Sequence, residues 1–137
     1  MKHKPIVAAL AMCAVLLACE SKGPQSLPPE MLGVWETSAP KYEGCYFELT
    51  KDKVLFANEA DYWEHVNINT ILRIEVTPGH LHSLYTIYYR DNEGQKYEFS
   101  FYYNPSDGGS IRFKNQTTIE WVKAGAQSIE KMLEESG

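Results

Sequence analysis

The sequence predicts a mainly β fold: an antiparallel up-and-down meander of about eight strands that closes into a small barrel, with one amphipathic helix at the carboxyl end. Three observations predict it. Apolar and polar residues alternate with period two in one short run after another, the pattern of strands with one dry face and one wet face. Short polar or glycine- and proline-bearing turns separate these runs. The composition is 12% aromatic, with nine tyrosines against five phenylalanines, and so leans toward residues that suit a pleated surface. A meander of this length disposes of its unpaired edges most simply by closing on itself.

In chain order, residues 1–18 come before the fold. Lys2, His3 and Lys4 make a basic start, and residues 5–18 form a mostly apolar run that ends at Ala18. A spanning helix needs roughly 20 apolar residues, so this shorter run predicts a secretory signal peptide. Its end, Leu16-Leu17-Ala18-Cys19, resembles the lipobox of bacterial lipoproteins. That resemblance implies cleavage after Ala18, thioether lipidation of Cys19 and acylation of the new amino terminus, with the lipid bilayer as partner. Glu20 stands where the family's inner-membrane retention signal would have Asp, so the expected address is the bacterial cell envelope, at the outer membrane facing the periplasm. Loss of Lys2 and Lys4 takes the formal net charge from −5 to −7. An acidic chain lacks the cationic footprint that nucleic acid requires. With Cys13 discarded and Cys19 lipidated, Cys45 is left alone, and no internal disulfide is expected. Its parity with Phe47 and Leu49 makes it a small buried hydrophobe.

Residues 19–30 are then a lipidated cysteine and a tether bearing three prolines and a glycine, and residues 31–137 are the barrel domain with its helix. The first strand carries Gly33, Val34 and Trp35. The second sets Cys45, Phe47 and Leu49 against Tyr46 and Glu48, and the third sets Val54 and Phe56 against Lys53. Residues 70–76 place Leu72, Ile74 and Val76 on one face and Ile71, Arg73 and Glu75 on the other. Residues 84–90 follow, then 97–103, where Tyr97, Phe99, Phe101 and Tyr103 share a face. Ile111 and Phe113, and finally Ile119 and Trp121, complete the series. Thr50 to Lys53, Pro78-Gly79, Asp91 to Gly94 and Asn104 to Gly109 are the turns. In residues 126–136, Ile129, Met132 and Leu133 fall on one helical face opposite Glu130, Lys131, Glu134 and Glu135.

The opening Met31-Leu32-Gly33-Val34-Trp35 resembles the first strand of the lipocalins and wider calycin barrels, whose G-x-W signature sets Trp at the closed end of the barrel. The resemblance covers the whole body and makes Gly33 and Trp35 structural. The body is shorter than a lipocalin, the family's later T-D-Y-like loop motif is missing, and Lys123 is the nearest substitute for the arginine that lies over the Trp. A lipocalin-like small barrel with a shallow cup is therefore expected.

An eight-stranded barrel is just wide enough to be filled by side chains or to hold one small ligand. The candidate interior residues are Phe47, Phe56, Leu72, Tyr97, Phe99 and Phe101. They leave two outcomes open: a packed interior, or an aromatic-lined pocket for a small hydrophobic ligand. The tyrosines at 85, 88, 89, 97, 102 and 103 cannot all face inward, so some stabilise the sheet by cross-strand packing or present a protein-binding surface. His80 and His82 read as solvated loop histidines, and no catalytic constellation, metal site or cofactor is expected. The expected function is a membrane-anchored envelope lipoprotein that binds a small hydrophobic ligand. The alternative is a protein-binding module, an inhibitor or an accessory subunit of an envelope complex.

Overall fold

The computed structural model describes residues 26–58, 66–125 and 128–136, so the signal-peptide and Cys19 expectations lie outside the described residues. Eight strands follow one another as β1 (Gly33–Thr37), β2 (Cys45–Leu49), β3 (Lys53–Asn58), β4 (Asn67–Thr77), β5 (Leu84–Arg90), β6 (Lys96–Asn104), β7 (Ser110–Phe113) and β8 (Trp121–Lys123). Each pairs antiparallel with the next, and β8 returns to pair with β1, with Trp35 opposite Lys123, so the meander is a closed barrel. A short helix, α1 (Ile129–Ser136), ends the chain. This is the fold class the alternation predicts.

The end of the barrel at Gly33, Leu49 and Ser110 is closed. Before β1, a 3-10 turn at Pro29–Met31 lays Met31 and Leu27 into the core, at 0% and 7% exposure. The folded body therefore begins earlier than Met31, inside the stretch that reads as tether. The prolines there preset the tight turn instead of keeping the chain extended. The Trp35 indole Nε1 donates to the Met31 carbonyl at 3.0 Å, and Tyr103 meets the indole edge-on. Lys123 sets its ammonium 5.5 Å over the Trp35 ring, so the lysine does take the place expected of an arginine. Gly33 has a φ of +137°, and a side chain there would meet the end of Lys123. That accounts for the glycine of the signature. Gly109, with a φ of +97°, lies against the Tyr103 hydroxyl and the Trp35 ring and completes the seal.

Outside the barrel, α1 covers β1 and β3. Ile129 is fully buried with Val34, Leu55 and Ala57, and Leu133 packs beside them. Glu48, an outward residue of β2, is buried beneath the helix start. Its carboxylate accepts the Ser128 hydroxyl at 2.7 Å and the Glu130 backbone N–H at 3.1 Å. Ser128 caps the helix through its own hydroxyl, which accepts from the Lys131 N–H. Lys53 bridges to Glu130 at 3.3 Å.

One strand departs from the predicted register. β4 begins at Asn67, three residues before the predicted run, and its pairing with β5 jumps from Ile71 opposite Tyr89 to Arg73 opposite Tyr88. Leu72 is the unpaired residue of this bulge. Asn69 and Ile71 precede it on the inner side, and Ile74 and Val76 follow on the same side. Ile71, predicted to face out, packs into the core, while Leu72, predicted to line the interior, is 44% exposed. The bulge bends the long strand as it passes from its pairing with β3 to its pairing with β5, curvature that a small closed barrel requires.

Candidate functional site

The opposite end of the barrel, where β1, β3, β5 and β7 finish, is the open one. The lower interior is filled: Trp35 and Phe101 are fully buried, Phe47 is 2% exposed, and Trp35 and Phe47 stack with centroids 6.3 Å apart. Above this floor most of the inward residues are aromatic too. Phe56 of β3 meets Phe99 and Tyr89, with ring centroids 6.1 and 6.2 Å apart. Phe99 meets Phe113 at 5.8 Å, and Phe113 meets Trp121 at 5.7 Å. Tyr97 stacks on Tyr89 at the rim.

These rings divide the mouth into three adjoining recesses that share Phe56. One of about 310 Å³ lies between β2, β3, β7 and β8, lined among others by Tyr42, Cys45, Phe47, Phe56 and Trp121. A second, of about 410 Å³, is reached between β6 and β7 through Phe99 and Phe113. The third, about 360 Å³, lies toward the β5–β6 hairpin against Asn67, Asn69, Tyr89 and Tyr97. That hairpin is built by Asp91, whose side chain accepts the backbone N–H groups of Glu93 and Gln95 at 2.9 Å each. The same two acids, Asp91 and Glu93, line this third recess, while Glu98 and Lys114 line the second. Burial holds the Tyr89 phenol above the ordinary tyrosine range, with Tyr97 and Asp91 adding to the shift. Tyr97 is held up too, first by desolvation and then by Asp91. Both phenols are neutral donors at any pH near 7.

Of the residues singled out from the sequence, Phe47, Phe56 and Phe99 line recesses. Phe101 lies deeper, sealed in the floor. Tyr97 stands at the lip, 43% exposed, and Leu72 stands outside the barrel for the reason given by the bulge. Cys45 is half-buried and lines the mouth instead of lying in the deep core. Tyr42, Tyr89, Phe113 and Trp121 complete the cup, although the sequence singled out none of them for it. Tyr89 and Phe113 were within reach, because each shares strand parity with a core residue, Ile87 and Ile111. Asn69 was not, since an inward asparagine breaks the alternation. It is 3% exposed and donates to the Val54 carbonyl at 3.1 Å.

The remaining tyrosines divide by face. Tyr85 and Tyr103 pack inward, while Tyr88 points out, its hydroxyl donating to Glu75 at 2.8 Å with the Arg73 guanidinium 3.8 Å over its ring. Tyr88 thus acts in cross-strand packing. His80 and His82 stand in the β4–β5 connection at the closed end, away from the cup. Comparison with protein-family models, curated proteins and solved structures found no match to this chain.

Proposed function

We propose that this chain is a membrane-anchored envelope lipoprotein whose lipocalin-like barrel holds a small hydrophobic ligand in its open end. The observation that carries the ligand reading is the aromatic cup: a filled floor under recesses of about 310 to 410 Å³ lined by Phe56, Phe99, Phe113 and Trp121. Apolar concavities of this size with a few polar groups at the mouth are the usual form of small-molecule sites. The anchor reading rests on Leu16-Leu17-Ala18-Cys19 after a basic start and an apolar run. Acyl chains on one residue hold a protein to a bilayer through about 0.8 kcal/mol per buried methylene.

The test is native mass spectrometry of the protein released from membranes. One apolar adduct per chain is expected in the parent protein and none in Phe56→Glu, which sets a charge in the cup. In the same cells palmitate labelling is lost in Cys19→Ser. A parent protein that carries no adduct and shows no saturable uptake of a naphthalene fluorophore sinks the ligand reading. The alternative, a protein-binding module, draws on one feature of the wall: β6 runs past the end of β7, and its residues 96–99 pair only on the β5 side among the described residues. Such an edge can accept an extended peptide as an added strand.

A further inference from the structure

Trp121 is 4% exposed, and its indole Nε1 is the one buried side-chain polar atom among the described residues that makes no hydrogen bond. A buried tryptophan N–H ordinarily finds an acceptor, as Trp35 does at the other end of the same barrel with the Met31 carbonyl. An unpaired donor carries its desolvation cost with no return. Trp121 sits where a return is available, because its ring lines the recess of about 310 Å³. The ring is fixed on two sides by strand residues, Phe47 at 5.1 Å and Phe113 at 5.7 Å. Its third neighbour is different. Tyr42, at 5.7 Å, belongs to the β1–β2 connection, on a 3-10 turn at Pro40–Tyr42. Its hydroxyl accepts the Gln116 amide at 2.5 Å, a contact between two loops of the open end.

We propose that Trp121 is the polar anchor of the cup: its indole N–H donates to a carbonyl-type acceptor on a neutral, apolar ligand, seated as Tyr42 shifts. This rests on the ligand reading above and specifies its chemistry. The acceptor is assigned to a neutral group because no charged residue lines this recess among the described residues. A carboxylate buried there would meet no cation among the described residues that line the recess, and the two adjoining recesses carry Asp91, Glu93 and Glu98 against Lys114 alone. An apolar body matches Phe47, Phe56 and Phe113, and a single acceptor matches the one buried donor among the described residues that is idle.

The experiment uses a matched pair of probes, 2-acetylnaphthalene and 2-ethylnaphthalene, which share a shape and differ in the carbonyl. Binding to the full chain in lipid nanodiscs is measured for both, each corrected for its partitioning into protein-free nanodiscs. The parent protein is expected to prefer the ketone by about five- to tenfold, the worth of one hydrogen bond, and Trp121→Phe is expected to lose that preference while still binding the hydrocarbon. Because the variant shrinks a core ring, the parent protein gives a second readout. Its Trp121 indole N–H resonance should move downfield with the ketone and stay in place with the hydrocarbon. A ketone preference that survives in Trp121→Phe, or an indole resonance indifferent to the ketone, overturns the proposal and leaves the ligand reading standing. Binding of neither probe overturns both.

Discussion

Removing the Glu48 carboxylate is expected to undock α1 from the barrel wall. Glu48 faces out from β2 yet is 4% exposed, because α1 begins directly over it. Its two oxygens accept one hydrogen bond each, from the Ser128 hydroxyl at 2.7 Å and from the Glu130 N–H at 3.1 Å. Hydrogen bonds to a charged acceptor contribute about 1.5 kcal/mol each at the low end. The negative charge also sits at a helix amino terminus, where it is favoured by about 0.5 kcal/mol. Against this, Glu48→Ala relieves the desolvation of a carboxylate, and the freed Ser128 hydroxyl can still cap Lys131. A net loss of about 2 kcal/mol is expected, with Glu48→Gln about half as costly because one oxygen acceptor remains. Urea denaturation followed by circular dichroism measures the global loss. Hydrogen exchange should show amides of α1 opening before those of β5 and β6. A Glu48→Ala protein within 0.5 kcal/mol of the parent, with helix amides still protected, would refute the capping role.

Two further outcomes follow from packing and from charge. The β4 bulge predicts that Leu72→Ser, at an exposed position, changes stability by less than about 0.5 kcal/mol, whereas Ile74→Ala, at a position 6% exposed, costs about 2–4 kcal/mol. A Leu72→Ser protein destabilised as much as Ile74→Ala in urea melts would restore the unbroken register, in which both side chains face inward. Alkaline titration probes the phenols. Tyr85, Tyr89, Tyr97 and Tyr103 are raised above 10.0 chiefly by burial, and Tyr88 chiefly by its hydrogen bond to Glu75. Lys53 is raised above 10.5 first by its hydrogen bond to Glu130. Groups whose folded values are raised contribute stability that is whole below their unfolded values and lost as pH climbs through the folded ones. Stability should therefore stay level in these groups' terms up to about pH 10 and fall above it. Tyrosinate absorbance that rises at the ordinary pH in a still-folded protein would contradict this.

What the sequence could and could not disclose has a common physical cause. Strict alternation announces strands and their two faces, and the turn residues announce where they end, so the closed meander was legible. Alternation cannot announce a bulge in a place where Ile71 and Leu72 stand side by side, since either can take the inner face, and a one-residue shift exchanges the faces of everything beyond it. Pro28 and Pro29 similarly suit a tether and a tight turn equally well, and only the burial of Leu27 and Met31 distinguishes the two.

The helix site is a different case, because its signal was present. Outward positions on β5, β6 and β7 after Leu84 are polar or amphipathic, among them Thr86, Tyr88, Ser100 and Arg112, whereas Val54, Leu55, Phe56 and Ala57 run apolar without a break on β3. An uninterrupted apolar run is the mark of a strand covered on both faces. With Val34 on β1, it marks the part of the wall that α1 must cover. Glu48 then stands between two covered strands, a carboxylate under an apolar helix face. Such a residue is tolerable only if backbone or hydroxyl donors meet it, which fixes where the helix begins. The break in alternation on β3 thus locates α1, and the buried acid beside it sets the register of its first turn.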